Sequence, residues 1–313
     1  MTRSATAIAH PNIAFIKYWG NKDNTLRIPS NGSISMNLGA LETRSTVEFD
    51  TTYTMDRLFI NEEELTGPGL HRVSNLLDRV RKMADISSFA VVTSTNNFPM
   101  GSGIASSASA FAALSLAATK AVGLSLDLEE LSRFARVSSG SACRSIPSGF
   151  VEWEMGTDHH SSFAKSIAAP DHWDLVDCIS ITDYTHKAVS STDGHEIAFT
   201  SPLQNARVSD SNRRLDVCRK TIMDRNFMQL AEIVEQDTHM MHAVMMTSTP
   251  PLIYLNPASI DIMKSVYSWR IEEGLNTFYT FDAGPNAHVI CKSEIAEKIF
   301  ERLQKIPGVQ EVI

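Results

Sequence analysis

The chain has 313 residues, 43% of them hydrophobic and 20% charged, with a net charge of −8. This is the balance of a globular protein with one large domain or two ordinary ones, and the acidic surplus argues against a nucleic-acid surface. No stretch approaches the ~20 apolar residues of a membrane span, and Met1-Thr2-Arg3-Ser4 leads into a strand-like run rather than a secretory signal, so a cytoplasmic protein with no membrane partner is expected.

Residues 5–10 alternate and predict a strand, interrupted by Pro11 and Asn12; residues 13–19 predict a second, ended by a turn cluster at 20–24. Residues 33–38 and 43–49 read as strands paired with each other, and 58–60 with 64–65 as a hairpin about Asn61-Glu62-Glu63. Leu70, Val73, Leu76, Leu77, Val80 and Met83 recur at helical spacing. A β-branched run at 89–93 then leads through Asn97-Phe98-Pro99-Met100-Gly101-Ser102-Gly103-Ile104-Ala105 into Ser106-Ser107 and a strong helix former at 110–116. Asp127-Leu128-Glu129-Glu130 is a capped helix start. Strands are expected at 149–153 and 178–182.

The composition shifts near residue 186. Beyond it the pattern predicts helices at 210–224, 227–245 and 259–273, strands at 277–281 and 287–291, and a last helix at 294–304 before a short strand. His239 and His242, three residues apart, could chelate a metal, but no third ligand lies nearby; core or capping roles are expected and no metal ligand is assigned. The four cysteines, Cys143, Cys178, Cys218 and Cys291, form no Cys-x-x-Cys pair, so reduced thiols are expected. The whole predicts an α+β fold of two domains, 1–185 and 186–313, with a cleft between them as the natural site.

Polar clusters interrupt this apolar framework: Lys17-Tyr18 with Asn21-Lys22, the Gly101 loop, Ser139-Gly140-Ser141 with Arg144, Asp282-Ala283-Gly284, and more weakly Ser190-Ser191-Thr192. Each has a plain structural reading alone. The Gly101 loop can be an empty strand-to-helix turn, Asp282 a turn residue, Ser191 a helix cap, Lys17 a snorkelling strand end. Together they supply what phosphoryl transfer requires. A helix N-terminus with free N–H groups can hold polyphosphate, an Asp can orient or deprotonate an acceptor hydroxyl, an Arg can grip a carboxylate, and a Lys can neutralise charge.

Asn12-Ile13-Ala14-Phe15-Ile16-Lys17-Tyr18-Trp19-Gly20, residues 99–109, Ser139-Gly140-Ser141-Ala142-Cys143-Arg144-Ser145 and Phe281-Asp282-Ala283-Gly284-Pro285-Asn286 resemble, in order, the motifs of the GHMP kinase superfamily and within it of the mevalonate diphosphate decarboxylases. The resemblance spans nearly the whole chain. It implies an S5-like α/β domain followed by a ferredoxin-like domain of helices and antiparallel sheet, a homodimer, and an ATP- and Mg²⁺-dependent decarboxylation of a phosphorylated mevalonate through phosphorylation of its C3 hydroxyl. Asp282 would activate or orient that hydroxyl, with Lys17 beside it and Arg144 on the C1 carboxylate. Tyr18, Asn21, Lys22, Ser139, Gly140, Ser141, Ser191, Thr192, His195 and Ala283 would contact the mevalonate and its 5-phosphate end. Gly101, Ser102, Gly103, Ala105, Ser106 and Ser107 would hold the ATP phosphates.

Three positions depart from the family pattern. Asn21 stands where similar chains read Tyr-Trp-Gly-Lys, Ser190-Ser191-Thr192-Asp193-Gly194-His195 where they read Ser-Ser, one or two residues, Gly-Met, and Ile146-Pro147-Ser148-Gly149 replaces a more open aromatic-Gly-Gly turn. Loss of a lysine and gain of Asp193 remove positive charge from the 5-phosphate region. The expected substrate is therefore mevalonate 5-phosphate, giving isopentenyl phosphate, ahead of mevalonate 5-diphosphate giving isopentenyl diphosphate. A kinase stopping after phosphorylation and a non-catalytic ligand sensor are more distant readings; Arg144 argues against the first, and the intact Asp282 and Lys17 against the second.

Overall fold

The computed structural model describes residues 2–98, 106–185 and 189–313. Three sheets carry the architecture. The first orders its strands Arg3–Ala9, Thr43–Asp50, Phe89–Asn96, Arg57–Ile60 and Glu63–Leu65, all neighbours antiparallel except the parallel Arg57–Ile60 and Phe89–Asn96. The second orders Ala164–Ala168, Phe150–Trp153, Ser33–Asn37 and Asn12–Ile16; the third, Thr277–Phe281, Ala287–Lys292, Leu175–Ile181 and Glu311–Val312. Two predicted strands are thus real but wrongly partnered. Ser33–Asn37 pairs with Asn12–Ile16 and Phe150–Trp153, whereas Thr43–Asp50 joins the first sheet. Proximity in sequence favours a hairpin, but each strand buries a face against a different core.

The first sheet packs beneath the Pro68–Ala84 and Ser106–Ala121 helices. Val47, Phe49, Val92, Leu76, Leu77, Val80 and Ala117 form one core there, and the exposed Met83 marks where the predicted apolar stripe leaves it. Asp127 and Glu130 close the capping box that opens the Leu128–Ser138 helix. All five residues of Asn12–Ile16 are buried, because that strand is covered on both faces. Ile13, Phe15 and Phe150 share a core with Leu215 and Cys218 of the Ser211–Met223 helix, Leu230 and Val234 of the Phe227–Thr247 helix, and Phe278 and Ile290 of the third sheet. That core joins the two halves of a two-domain α+β fold, and Leu175–Ile181 lends a strand to the C-terminal sheet.

The four cysteines are free and buried. No helix among the described residues is long and apolar enough to cross a membrane. Residues 20–24, expected as a turn, include instead a short strand, Asn21–Asp23, laddered to Ile28–Pro29.

Candidate active site

A cavity of about 360 Å³ lies between the second and third sheets and the helices beside them. It is lined from the end of the Asn12–Ile16 strand, from the turn Gly140–Ser145, from the first residues of the Ser106–Ala121 and Ser191–Ile197 helices, and from the turn after Thr277–Phe281. Sequence-distant motifs therefore converge: Lys17, Tyr18, Ser106, Ser107, Ser139, Gly140, Ser141, Arg144, Ser191, Thr192, His195, Asp282 and Ala283 all face it. Gly101, Ser102, Gly103 and Ala105 lie outside the described residues.

Lys17 Nζ donates to Asp282 Oδ1 at 2.7 Å, with the lysine side chain 2% exposed and the aspartate 31% exposed towards the cavity. Burial pushes the Asp282 carboxyl up, but Lys17, His288 and Arg144 outweigh it and hold it at about 2. Burial lowers Lys17, opposed by Asp282. Both ends have rigid backing. The Lys17 N–H donates to Asp237 Oδ2 at 2.7 Å, and Asp237, wholly buried, also accepts from Arg214 Nε at 2.7 Å. Arg207 Nη2 and Asn31 Nδ2 both donate to the Lys17 carbonyl, at 2.8 and 2.9 Å. On the other side Thr238 Oγ1 exchanges hydrogen bonds with the Phe281 backbone, pinning the strand end just before Asp282 to the long helix.

Arg144 is 4% exposed and has no ion-pair partner among the described residues. Its Nε donates to Asn12 Oδ1 at 3.1 Å and its Nη1 to Ser33 Oγ at 2.7 Å, with Trp153 beneath the guanidinium. A buried cation with neutral partners only is costly unless an anion arrives, so the site is built to receive a carboxylate or phosphate. Ser107 Oγ lies 3.0 Å from Ser139 Oγ, linking the start of the Ser106–Ala121 helix to the turn that carries Arg144. Gly140 lets the Tyr18 ring lie against this turn: a Cβ there would stand 2.5 Å from the ring.

Tyr18 stacks on His195, ring centroids 4.0 Å apart, and meets Trp153 edge-on. Gly20 N–H donates to His195 Nδ1 at 2.9 Å. Burial, then the charges of Arg27, Arg207 and Arg144, push His195 down to about 3, so the ring is neutral and carries its proton on Nε2. His239 and His242 make no joint site. The first pairs with the Tyr279 hydroxyl at 3.0 Å; the second packs edge-on against Phe281 and is pushed down to about 4, mainly by burial.

Asn21 and Lys22 are not among the lining residues. The Asn21 side chain accepts from the Tyr18 hydroxyl and donates to Asn24 at 3.0 Å, while Lys22 is exposed and its Nζ meets Met155 Sδ at 3.2 Å. Asp193, read as an acid facing the phosphate region, is exposed and hydrogen-bonded to Ser190 at the helix start. In their place stand Arg27 and Arg72, with Asn12, Ser190 and Met241. The sequence carried no signal for the two arginines, each isolated within an ordinary hairpin or helix; only chain folding brings them to the cavity.

Family models place the Diphosphomevalonate decarboxylase-like N-terminal domain at residues 9–164 and the Mevalonate 5-diphosphate decarboxylase C-terminal domain at residues 178–312. The Diphosphomevalonate decarboxylase of Candida albicans is 36% identical over 97% of this chain and 90% of its own; the human one is 36% identical over 91% and 76%. The crystal structure of mevalonate diphosphate decarboxylase from Staphylococcus aureus superposes with a TM-score of 0.95 at 36% identity, covering 100% of this chain and 95% of that one. A structure of MDDEF in complex with MVAPP, AMPPCP and magnesium gives 0.93 at 35%, covering 100% and 96%.

These relatives overturn the expectation of a monophosphate substrate, since they are named for the diphosphate and one structure holds MVAPP. The charge argument failed for a physical reason. It counted the lysine missing at position 21 and the acid at 193, but Asp193 is turned to Ser190 and two arginines from elsewhere line the cavity.

Proposed function

We propose, from a chain that belongs to the diphosphomevalonate decarboxylase family, that it converts mevalonate 5-diphosphate and ATP to isopentenyl diphosphate, carbon dioxide, ADP and phosphate. The observation that carries this reading is the convergence of the Lys17–Asp282 pair with the buried, unpaired Arg144 on one cavity.

In this reading Asp282 accepts a hydrogen bond from the C3 hydroxyl and aligns its oxygen on the ATP γ-phosphorus; as that O–P bond forms, the bond to the β-phosphate oxygen breaks to release ADP, and the hydroxyl proton passes to a phosphate oxygen. Lys17 keeps Asp282 ionised and faces the charge that develops in transfer. Arg144 takes the C1 carboxylate and steadies its charge until the C3–O bond breaks and phosphate departs; the C1–C2 bonding pair then becomes the C2=C3 double bond as C1 leaves as carbon dioxide. Ser139, Ser141 and Tyr18 position the acceptor, and Ser191, Thr192, His195, Arg27 and Arg72 surround its diphosphate. Ser106 and Ser107, with the preceding loop, meet the ATP phosphates at a helix N-terminus.

The described residues contain no group of three or more His, Cys, Asp or Glu able to cage a metal. Hard hydroxyl oxygens at Ser106 and Ser107 and the part-open Asp282 carboxylate do fit Mg²⁺ held chiefly by phosphates, where it would neutralise their charge. The family resemblance further supports a cytoplasmic homodimer, with domains meeting near residue 185; sedimentation of the purified protein tests the dimer.

The decisive assay incubates purified protein with ATP, Mg²⁺ and mevalonate 5-diphosphate. Stoichiometric release of ADP and carbon dioxide is expected; ADP without carbon dioxide would reduce the protein to a kinase, and neither product would sink the reading.

A further inference from the structure

Resting on that diphosphate reading, we propose that Arg27 is the residue by which this chain selects the 5-diphosphate over the 5-monophosphate, in place of the lysine the family motif carries after Tyr-Trp-Gly. Position 21 is asparagine, its amide is committed to Tyr18 and Asn24, and neighbouring Lys22 points to Met155. The motif that should supply a cation to the phosphate end supplies none.

The hairpin makes good the loss. Asn21 pairs with Pro29 and Asp23 with Ile28 across a tight ladder, so the chain that leaves the cavity at position 21 returns to it at position 27. The Leu26 N–H donates to Asp23 Oδ1 at 2.8 Å, and Arg27 takes the left-handed conformation with φ 50°. That conformation is unfavourable for a non-glycine residue and persists where the surroundings over-determine it. Here the side chain reaches the cavity that Tyr18 also lines. Arg27 Nε donates to the Val137 carbonyl at 3.2 Å, which fixes the guanidinium on the cavity wall and leaves its outer N–H groups for a ligand.

Neither Arg27 nor Arg72 has an acidic partner among the described residues. Arg72 lines the same cavity, its Nη2 donating to the Ser138 carbonyl at 3.3 Å and its guanidinium lying 4.6 Å from the Phe111 ring. Burial, followed by the Arg27 charge, lowers Arg72, which places the two cations within each other's field. Two guanidiniums on one cavity, with no counter-ion among the described residues, suit two linked phosphoryl groups better than one, since each planar fork can take one group through paired N–H donors. Lys17 is committed to Asp282 and Arg144 lies deep beside Asn12 and Ser33, so neither is placed to do this at the hairpin end.

The test measures kcat and KM for mevalonate 5-diphosphate, mevalonate 5-phosphate and ATP in the wild type, Arg27→Gln, Arg27→Lys, and the double variant Arg27→Gln with Asn21→Lys. Arg27→Gln is expected to raise KM for the diphosphate by about 10- to 100-fold, with kcat and KM for ATP little changed and the preference over monophosphate reduced. Asn21→Lys in that background is expected to restore part of the affinity by returning a cation to the same end. A diphosphate KM within about twofold of wild type overturns the inference while leaving the decarboxylase reading intact, as does a parallel rise in KM for ATP, which would mark a structural effect. Should Arg27→Gln not fold, Arg27→Lys is read in its place: loss of the fork is expected to weaken diphosphate binding several-fold, and an unchanged KM overturns the inference. If the wild type itself does not turn over the diphosphate, reading and inference fall together.

Discussion

Lys17 and Asp282, 265 residues apart, meet through a 2.7 Å bond between the end of one buried strand and the turn after another. The Lys17 backbone is held in turn by Asp237, Arg207 and Asn31, and the strand before Asp282 by Thr238. The site is therefore fixed from both sides by the long Phe227–Thr247 helix and its neighbours.

Asp282→Asn is expected to lower kcat by about 10²–10⁴-fold while ATP still binds. The amide keeps the shape but loses the charge that aligns the acceptor hydroxyl. Steady-state rates with a parallel nucleotide-binding titration check this; ligand-dependent behaviour unchanged from wild type would favour a sensor.

Arg144→Lys keeps a charge but cannot bond Asn12 and Ser33 while presenting a flat fork to a carboxylate. Carbon dioxide release is expected to fall by at least about tenfold. Quantifying ADP and alkene product together shows whether phosphorylation outlasts decarboxylation.

Gly140→Ala would put a methyl 2.5 Å from the Tyr18 ring. Tyr18 must move, disturbing its stack on His195, so KM for the acceptor should rise by about tenfold or more with KM for ATP nearly constant. Equal rises in both would contradict this assignment of sides within the cavity.

Asp237→Asn removes the anion between Arg214 and Lys17 N–H and leaves Arg207 and Arg214 short of a buried counter-charge. A loss of about 3–5 kcal/mol is expected, read from urea melts. A change below about 1 kcal/mol would mean that Asp210, which also pairs with Arg214 at 2.7 Å, and the backbone carbonyls bonded to the two arginines suffice.

Buried His195, held at about 3, and His242, at about 4, are neutral in the folded state and protonate more readily when unfolded. The unfolded chain then binds more protons, so their contribution to stability is present above about pH 6.5 and falls as pH drops towards those values. Asp282, held at about 2, adds a loss as pH falls below its ordinary range near 3.8. Melting temperature should decline from about pH 6.5 to 4, and the rate should show no limb from these three groups between about pH 5 and 8. His242→Gln should flatten the acid side of the melting curve.

Local signals carried far. Two-residue alternation at 5–10 and a β-branched run at 89–93 located the strands Arg3–Ala9 and Phe89–Asn96, helical spacing placed Val73, Leu76, Leu77 and Val80 on one buried face, and Asp127 with Glu130 marked a helix start that forms its capping box. Lys17, Tyr18, Ser139, Arg144 and Asp282 were legible as polar clusters in an apolar framework and His195 through the family resemblance, and all six face the cavity. Asn21 and Lys22 are not among the lining residues, and what each meets depends on a hairpin whose register is invisible locally.

By itself, then, the sequence determined the elements, the α+β class and the set of residue types that can do phosphoryl transfer, since periodicity and motif order are local properties of the chain. Only the tertiary structure decided which strands share a sheet, that Asp193 turns to Ser190, and that Arg27 and Arg72, without an acidic partner among the described residues, line one cavity. The reason is that charge at a site is a sum over space: a lysine missing at position 21 can be balanced by an arginine six positions on, once a two-stranded ladder folds the chain back.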